Sequence, residues 1–106
     1  MKKDRDILLA IKERMREVLP GDAQLLFFGS RARGDNRNDS DWDILILLNK
    51  NKLDSFDYDM FVYPLRELGW ELDEEINPIL YTWHEWEKGN YTPFYKNIQQ
   101  DAVRLL

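Results

Sequence analysis

Two carboxylates one residue apart, Asp41 and Asp43, follow the basic segment Gly29-Ser30-Arg31-Ala32-Arg33-Gly34 and precede an apolar run at 44–48. On an extended chain successive side chains alternate between faces, so the two acids leave one face, roughly 6.6 Å apart along the chain, and Trp42 goes to the other. Like charges this close repel unless a cation lies between them, and hard oxygen donors facing one point are what magnesium takes. In the basic segment, glycine lets backbone approach a ligand. The free amides and hydroxyl of Gly29-Ser30, ahead of a short helix starting at Ala32 or Arg33, can hold phosphate oxygens. Together these residue types support chemistry on a metal-bridged phosphate. Ordinary turn chemistry accounts for Asp35, Asn36, Asn38 and Asp39. It accounts less well for two acids on one face of an otherwise apolar strand, immediately after a basic glycine-rich turn.

The elements that must position these groups are legible on either side. Apolar runs at 23–28 and 44–48 have the length and bulk of strands covered on both faces. If Ser30 ends the first strand and Asp41 begins the second, both reach one ligand only when the strands run in opposite senses or cross at the same edge. An exclusively parallel sheet is therefore not expected. Ile7, Leu8, Ile11, Met15, Val18 and Leu19 recur at helical spacing and predict a helix over 4–19, ended by Pro20-Gly21. A second helix is expected after a cap at Asp54 or Ser55, with Phe61, Leu65 and Leu68 inward, Pro64 disturbing its interior and Gly69 as its stop. A strand over 74–81 puts Glu75 and Asn77 on one face, with Pro78 pointing to an edge or a bulge. Thr82 to Glu85 has capping-box form, and Thr92-Pro93 opens a last helix whose inward stripe is Phe94 or Tyr95, Ile98 and Ala102. His84, the single histidine, falls in a first helical turn, where a structural or solvent role is expected.

Glycine-serine, ten intervening residues, then aspartate-any-aspartate resembles the signature of the nucleotidyltransferase superfamily that includes DNA polymerase beta. The finer form, Gly29 to Gly34 followed by Ser40-Asp41-Trp42-Asp43-Ile44, resembles its minimal nucleotidyltransferase (MNT) branch. The resemblance extends, more weakly, over nearly the whole chain. It implies a small α/β or α+β fold, with a mixed β-sheet and helices packed mainly on one face, in a single domain spanning 1–106. It also implies that Gly29, Ser30, Arg31 and Arg33 bind ATP and that Asp41 and Asp43 are catalytic residues that bind Mg2+. In the family a third acid on a later strand completes a two-metal site. Here Ile76-Asn77-Pro78-Ile79 puts Asn77 at that place. An amide can coordinate through its carbonyl but carries no charge and cannot act as a base. Glu75, two residues away, is the candidate to substitute, so the metal ligands implied are Asp41, Asp43, Glu75 and Asn77.

Composition bounds what such a site serves. At 106 residues there is room for one small domain but not for a second, substrate-binding one. Cysteine is absent, which excludes disulfides and thiolate metal sites. The net charge of −5, from 15 basic and 20 acidic residues, disfavours duplex nucleic acid as a partner. Arg31, Arg33 and Arg37 are locally dense and suit a nucleotide phosphate better. Neither a signal-peptide core nor a membrane span is evident, so no membrane role and a cytoplasmic location are expected. The function expected from the resemblance is magnesium-dependent transfer of a nucleotidyl group, AMP from ATP, to an acceptor hydroxyl on a partner protein. For the MNT branch that partner is an all-helical HEPN-like protein. The alternative is a catalytically weak or inactive nucleotide-binding, antitoxin-like protein that sequesters its partner.

Overall fold

In the computed structural model, which describes residues 4–106, the elements run α1 (Asp4–Arg16), β1 (Gln24–Phe28), α2 (Ser30–Arg33), β2 (Trp42–Leu48), α3 (Ser55–Asp57), a π-helical turn (Tyr58–Val62), α4 (Tyr63–Leu72), β3 (Ile76–Thr82), α5 (Trp83–Lys88), α6 (Pro93–Asp101) and β4 (Val103–Arg104). The four strands form one sheet in the order β3-β2-β1-β4. β1 pairs antiparallel with β2 and β4, whereas β2 and β3 are parallel. The sheet is therefore not exclusively parallel, as the Ser30 and Asp41 geometry requires, and it is mixed, as the resemblance implies.

β2 lies inside the sheet and is apolar on both faces. Trp42, Ile44, Ile46 and Leu48 join Leu25 and Phe27 of β1 beneath Ile7, Ile11 and Met15 of α1 and Leu65 and Leu68 of α4. Leu45 and Leu47 point the other way with Phe28, under Trp86 of α5 and Ile98 of α6. The larger helical layer covers the first face, and the short α5 and α6 cover the second. No helix among the described residues is long and apolar enough to cross a membrane.

Several boundaries differ from the sequence expectation, each for a local reason. α1 ends at Arg16, and the amides of Val18 and Leu19 turn back onto the Met15 carbonyl at 3.1 and 2.9 Å. Asp54 caps the next helix through a reciprocal pair: the Asp57 amide donates to Asp54 Oδ1 at 3.0 Å and the Asp54 amide to Asp57 Oδ2 at 2.9 Å. Pro64 is accommodated rather than disruptive. It lacks the amide that would continue an α-helical ladder, and just ahead of it the pattern slips by one residue, so that the Tyr63 amide reaches the Tyr58 carbonyl. Gly69 does not end the helix, which continues to Leu72 and stops at Asp73 in the left-handed region, φ 55°. Its lack of a side chain serves packing instead: a Cβ there would lie 2.7 Å from the Glu74 carbonyl oxygen. β3 begins at Ile76, two residues later than predicted, and is an edge strand, where Pro78 deprives the ladder of least.

Candidate metal and nucleotide site

The antiparallel register sets the site. Phe28, the last residue of β1, lies opposite Asp43, the second residue of β2, so the turn that leaves β1 at Gly29 passes directly over the Asp43 side chain. Gly29 is required there twice over. Its backbone has φ 86° and ψ −164°, a region open essentially to glycine alone. A Cβ at this position would also overlap Asp43 Oδ2 and lie 3.0 Å from its Cγ. The single turn of α2 follows, with the Arg33 amide donating to the Gly29 carbonyl at 3.1 Å, and Gly34 closes it at φ 83°.

Asp43 is half-buried, and Asn77, its register partner on β3, donates through Nδ2 to Asp43 Oδ1 at 3.0 Å. Burial pushes the Asp43 carboxyl above the usual aspartate range, and the neighbouring charge of Asp41 pushes the same way. The Asn77 amide and Arg33 oppose this only in part. Asp41 is exposed and sits one residue ahead of β2. Trp42 between them turns to the opposite face and is 1% exposed. This is the alternation expected from strand period.

Arg31 and Arg33, equivalent in sequence, are used differently. Arg31 lies with Trp42: its guanidinium carbon is 4.4 Å from the ring centroid, Nε donates to the Ser40 carbonyl at 2.9 Å, and Nη2 donates to the Asn38 carbonyl at 2.9 Å. An exposed carboxylate, Asp4, approaches Nη1 at 3.6 Å, and the Arg31 side chain is 6% exposed. Arg31 thus fastens the loop that delivers Asp41. Arg33 is exposed and bridges Asp35 at 3.2 Å and Asp101 at 3.4 Å. The hydrogen bond to Asp35 raises its pKa, burial opposes this, and Asp101 adds to the rise.

Glu75 stands just before β3 with its side chain exposed, and its carbonyl accepts the Trp42 amide at 2.8 Å. Its neighbour Glu74 accepts the Trp42 indole N–H at 3.3 Å. No group of three or more His, Cys, Asp or Glu side chains able to hold a metal occurs among the described residues. Asp43, under the turn, meets the neutral amide of Asn77, and the charge of Asp41 acts on the Asp43 carboxyl. Two carboxylates and an amide oxygen are hard donors of the kind magnesium takes. They lack the third anion expected of a two-metal set. His84 is exposed in the first turn of α5, away from this chemistry, and Thr82 and Glu85 form the expected reciprocal cap at 3.0 and 2.9 Å.

Sequence reasoning missed the neighbour of the turn. A cavity of about 170 Å3 opens between Gly29 and α6, with Phe28, Arg33, Phe94, Asn97 and Asp101 in its wall. The helical pattern turns Phe94 or Tyr95 inward, but no local signal says that α6 docks against a turn some sixty residues earlier.

The model of the nucleotidyltransferase domain family matches residues 8–104. No curated protein matches the chain. Among the similar solved structures are three of toxin-antitoxin pairs. The crystal structure of a toxin-antitoxin with AMP-PNP aligns over 98% of this chain and 73% of its own, at 16% identity and a TM-score of 0.61. A toxin-antitoxin MntA-HpeT mutant with two aspartates replaced by glutamates aligns over 93% and 71%, at 15% identity and a TM-score of 0.62. A tri-AMPylated Shewanella oneidensis HEPN toxin in complex with MNT antitoxin aligns over 93% and 71%, at 14% identity and a TM-score of 0.50. At such identities the likeness is one of fold.

Proposed function

The chain belongs to the nucleotidyltransferase domain family, and from that premise we propose that it transfers AMP from ATP to a hydroxyl of a protein partner in a magnesium-dependent reaction. The observation that supports this reading is the passage of the Gly29-Ser30 turn over Asp43, which brings the turn and this carboxylate to one point. Asp41 and Asp43 would hold the ion, with the Asn77 carbonyl as a neutral third donor and Glu75 as the candidate further acid. Bound magnesium supplies charge neutralisation on the phosphates and a lowered barrier to hydroxyl attack. Gly29 and Ser30 hold the terminal phosphates by backbone amides and hydroxyl, and Arg33, the exposed arginine, offsets their charge. Arg31 contributes indirectly, by fixing the loop before Asp41. The acceptor oxygen bonds to the α-phosphorus, the bond to the bridging oxygen breaks, pyrophosphate leaves, and the hydroxyl proton, which Asn77 cannot take, passes to solvent water.

The similar structures with AMP-PNP and with an AMPylated HEPN toxin beside its MNT antitoxin support ATP as donor and an all-helical HEPN-like protein as acceptor. The net charge of −5 argues in the same direction, against a duplex nucleic-acid substrate. Incubation with labelled ATP, magnesium and the product of the adjacent gene is expected to label that protein, and Asp41→Ala and Asp43→Ala to abolish both labelling and the magnesium dependence of ATP binding. Label on RNA or a small molecule alone, or ATP binding indifferent to magnesium and to both aspartates, refutes the reading.

One observation favours a second reading. Asn77 stands beside Asp43 where a third carboxylate would complete a two-metal site, so a weakened transferase that acts by sequestering its partner is the alternative. Asn77→Asp separates the two: a sharp rise in transfer marks the natural protein as attenuated, whereas an unchanged or lower rate marks the amide as competent.

A further inference from the structure

Resting on the nucleotidyl-transfer reading above, we propose that the cavity between the Gly29 turn and α6 is a purine-base subsite, in which Phe94 supplies the aromatic wall and Asn97 reads the base. Continuity is the first argument. Gly29 belongs to both the proposed phosphate turn and the cavity wall, so a nucleotide with its phosphates on the turn has this space within reach of its ribose and base. The chemistry of the lining is the second. Phe28 and Phe94 meet edge to face with centroids 6.2 Å apart, Trp86 meets the Phe94 ring at 6.1 Å, and the 42% of Phe94 that stays exposed is aromatic area that a planar heterocycle would bury.

The polar groups stand on one side. Asn97 lines the cavity with a carboxamide, whose paired donor and acceptor match the amino group and ring nitrogen of adenine. Asp101 is already engaged by Arg33 at 3.4 Å, which neutralises the one carboxylate that would otherwise favour a base presenting several donors. Arg33 therefore stands between the phosphate turn and the base cavity and touches the wall of each.

Calorimetric titration of ATP, CTP and inorganic tripolyphosphate, each with magnesium, into the wild type, Phe94→Ala and Asn97→Ala tests this. In the wild type ATP should bind more tightly than both other ligands. Phe94→Ala should weaken ATP at least about fivefold and leave tripolyphosphate within about twofold. Asn97 is exposed on α6, so its replacement does not threaten folding; Asn97→Ala should erase the preference for ATP over CTP and again spare tripolyphosphate. ATP binding that is unchanged in both variants, or that falls in parallel with tripolyphosphate, overturns the subsite while leaving nucleotide binding at the turn intact. A wild type that binds neither ATP nor tripolyphosphate overturns the subsite together with the transferase reading.

Discussion

Replacing Gly29 with alanine tests the geometry on which the site depends. The substitution carries two penalties that the structure separates. Holding an L-residue at φ 86°, ψ −164° costs roughly 1–3 kcal/mol. The added Cβ also overlaps Asp43 Oδ2, so the carboxylate must leave its rotamer, at roughly 0.5–1.5 kcal/mol, and give up the Asn77 hydrogen bond, at roughly 1 kcal/mol or more. The expected loss is therefore about 2.5–5.5 kcal/mol in urea unfolding monitored by tryptophan fluorescence. Two controls isolate the second penalty. Gly34→Ala meets the same sign of φ, 83°, with nothing within 4 Å of the new Cβ, and should cost only about 1–2 kcal/mol. In an Asp43→Ala background the overlap has no partner, and the cost of Gly29→Ala should shrink towards the dihedral penalty alone. Equal costs for Gly29→Ala in the wild-type and Asp43→Ala backgrounds, no greater than that of Gly34→Ala, would refute the close approach of turn and carboxylate.

Three further outcomes are expected. Burial alone would raise the Asp57 carboxyl, but Lys50 and the Asp54 amide together hold it below the usual value of 3.8. Its folded-state pKa then lies under the unfolded one, so its contribution is full above 3.8 and is lost as pH falls through the folded value; urea midpoints should fall more steeply in acid for the wild type than for Asp57→Asn, and matching slopes would refute the assignment. Arg31→Lys keeps the charge but loses the planar fork that grips the Ser40 and Asn38 carbonyls, so stability should drop by about 1–3 kcal/mol and hydrogen exchange over 38–41 should accelerate; unchanged exchange would return Arg31 to solvent. Gly69→Ala should destabilise despite alanine's better helix propensity, because its Cβ meets the Glu74 carbonyl oxygen, and a gain in thermal midpoint would contradict that contact.

What the sequence disclosed and what it withheld divide along the range of the interactions. Asp41, Trp42 and Asp43 alternate in space as strand period requires, and the opposed senses of β1 and β2 follow from asking two polar groups to meet. The capping residues Asp54, Thr82 and Thr92 were equally readable, since a cap reaches only two or three residues along the chain. Arg31 and Arg33 were not separable, because a guanidinium offers the same donors to a phosphate as to a pair of backbone carbonyls, and only the path of the 34–41 loop decides. Gly69 read as a stop because glycine ends helices often; the contact that demands it comes from the turn beyond the helix. Strand period puts Glu75 on one face with Asn77 only if β3 starts two residues before Ile76, whereas the Asn77 position beside Asp43, which the resemblance implies, agrees with the parallel register. Asn97 and Asp101 gave no signal, since nothing within α6 records which turn it packs against.

The Arg31 clamp has a consequence for how lineages of this fold would decay. Its guanidinium is bound to carbonyls and to an indole face, so the selective pressure on it comes from folding and persists when catalysis is no longer under selection. Ser30 carries no such obligation through its hydroxyl. In a descendant retained only to grip its partner, the arginine two places after the glycine and the buried tryptophan should outlive the serine and the exposed Asp41. The motif would then erode from its chemical end, and a surviving Gly-x-Arg with its tryptophan would be a relic of architecture rather than a sign of transfer.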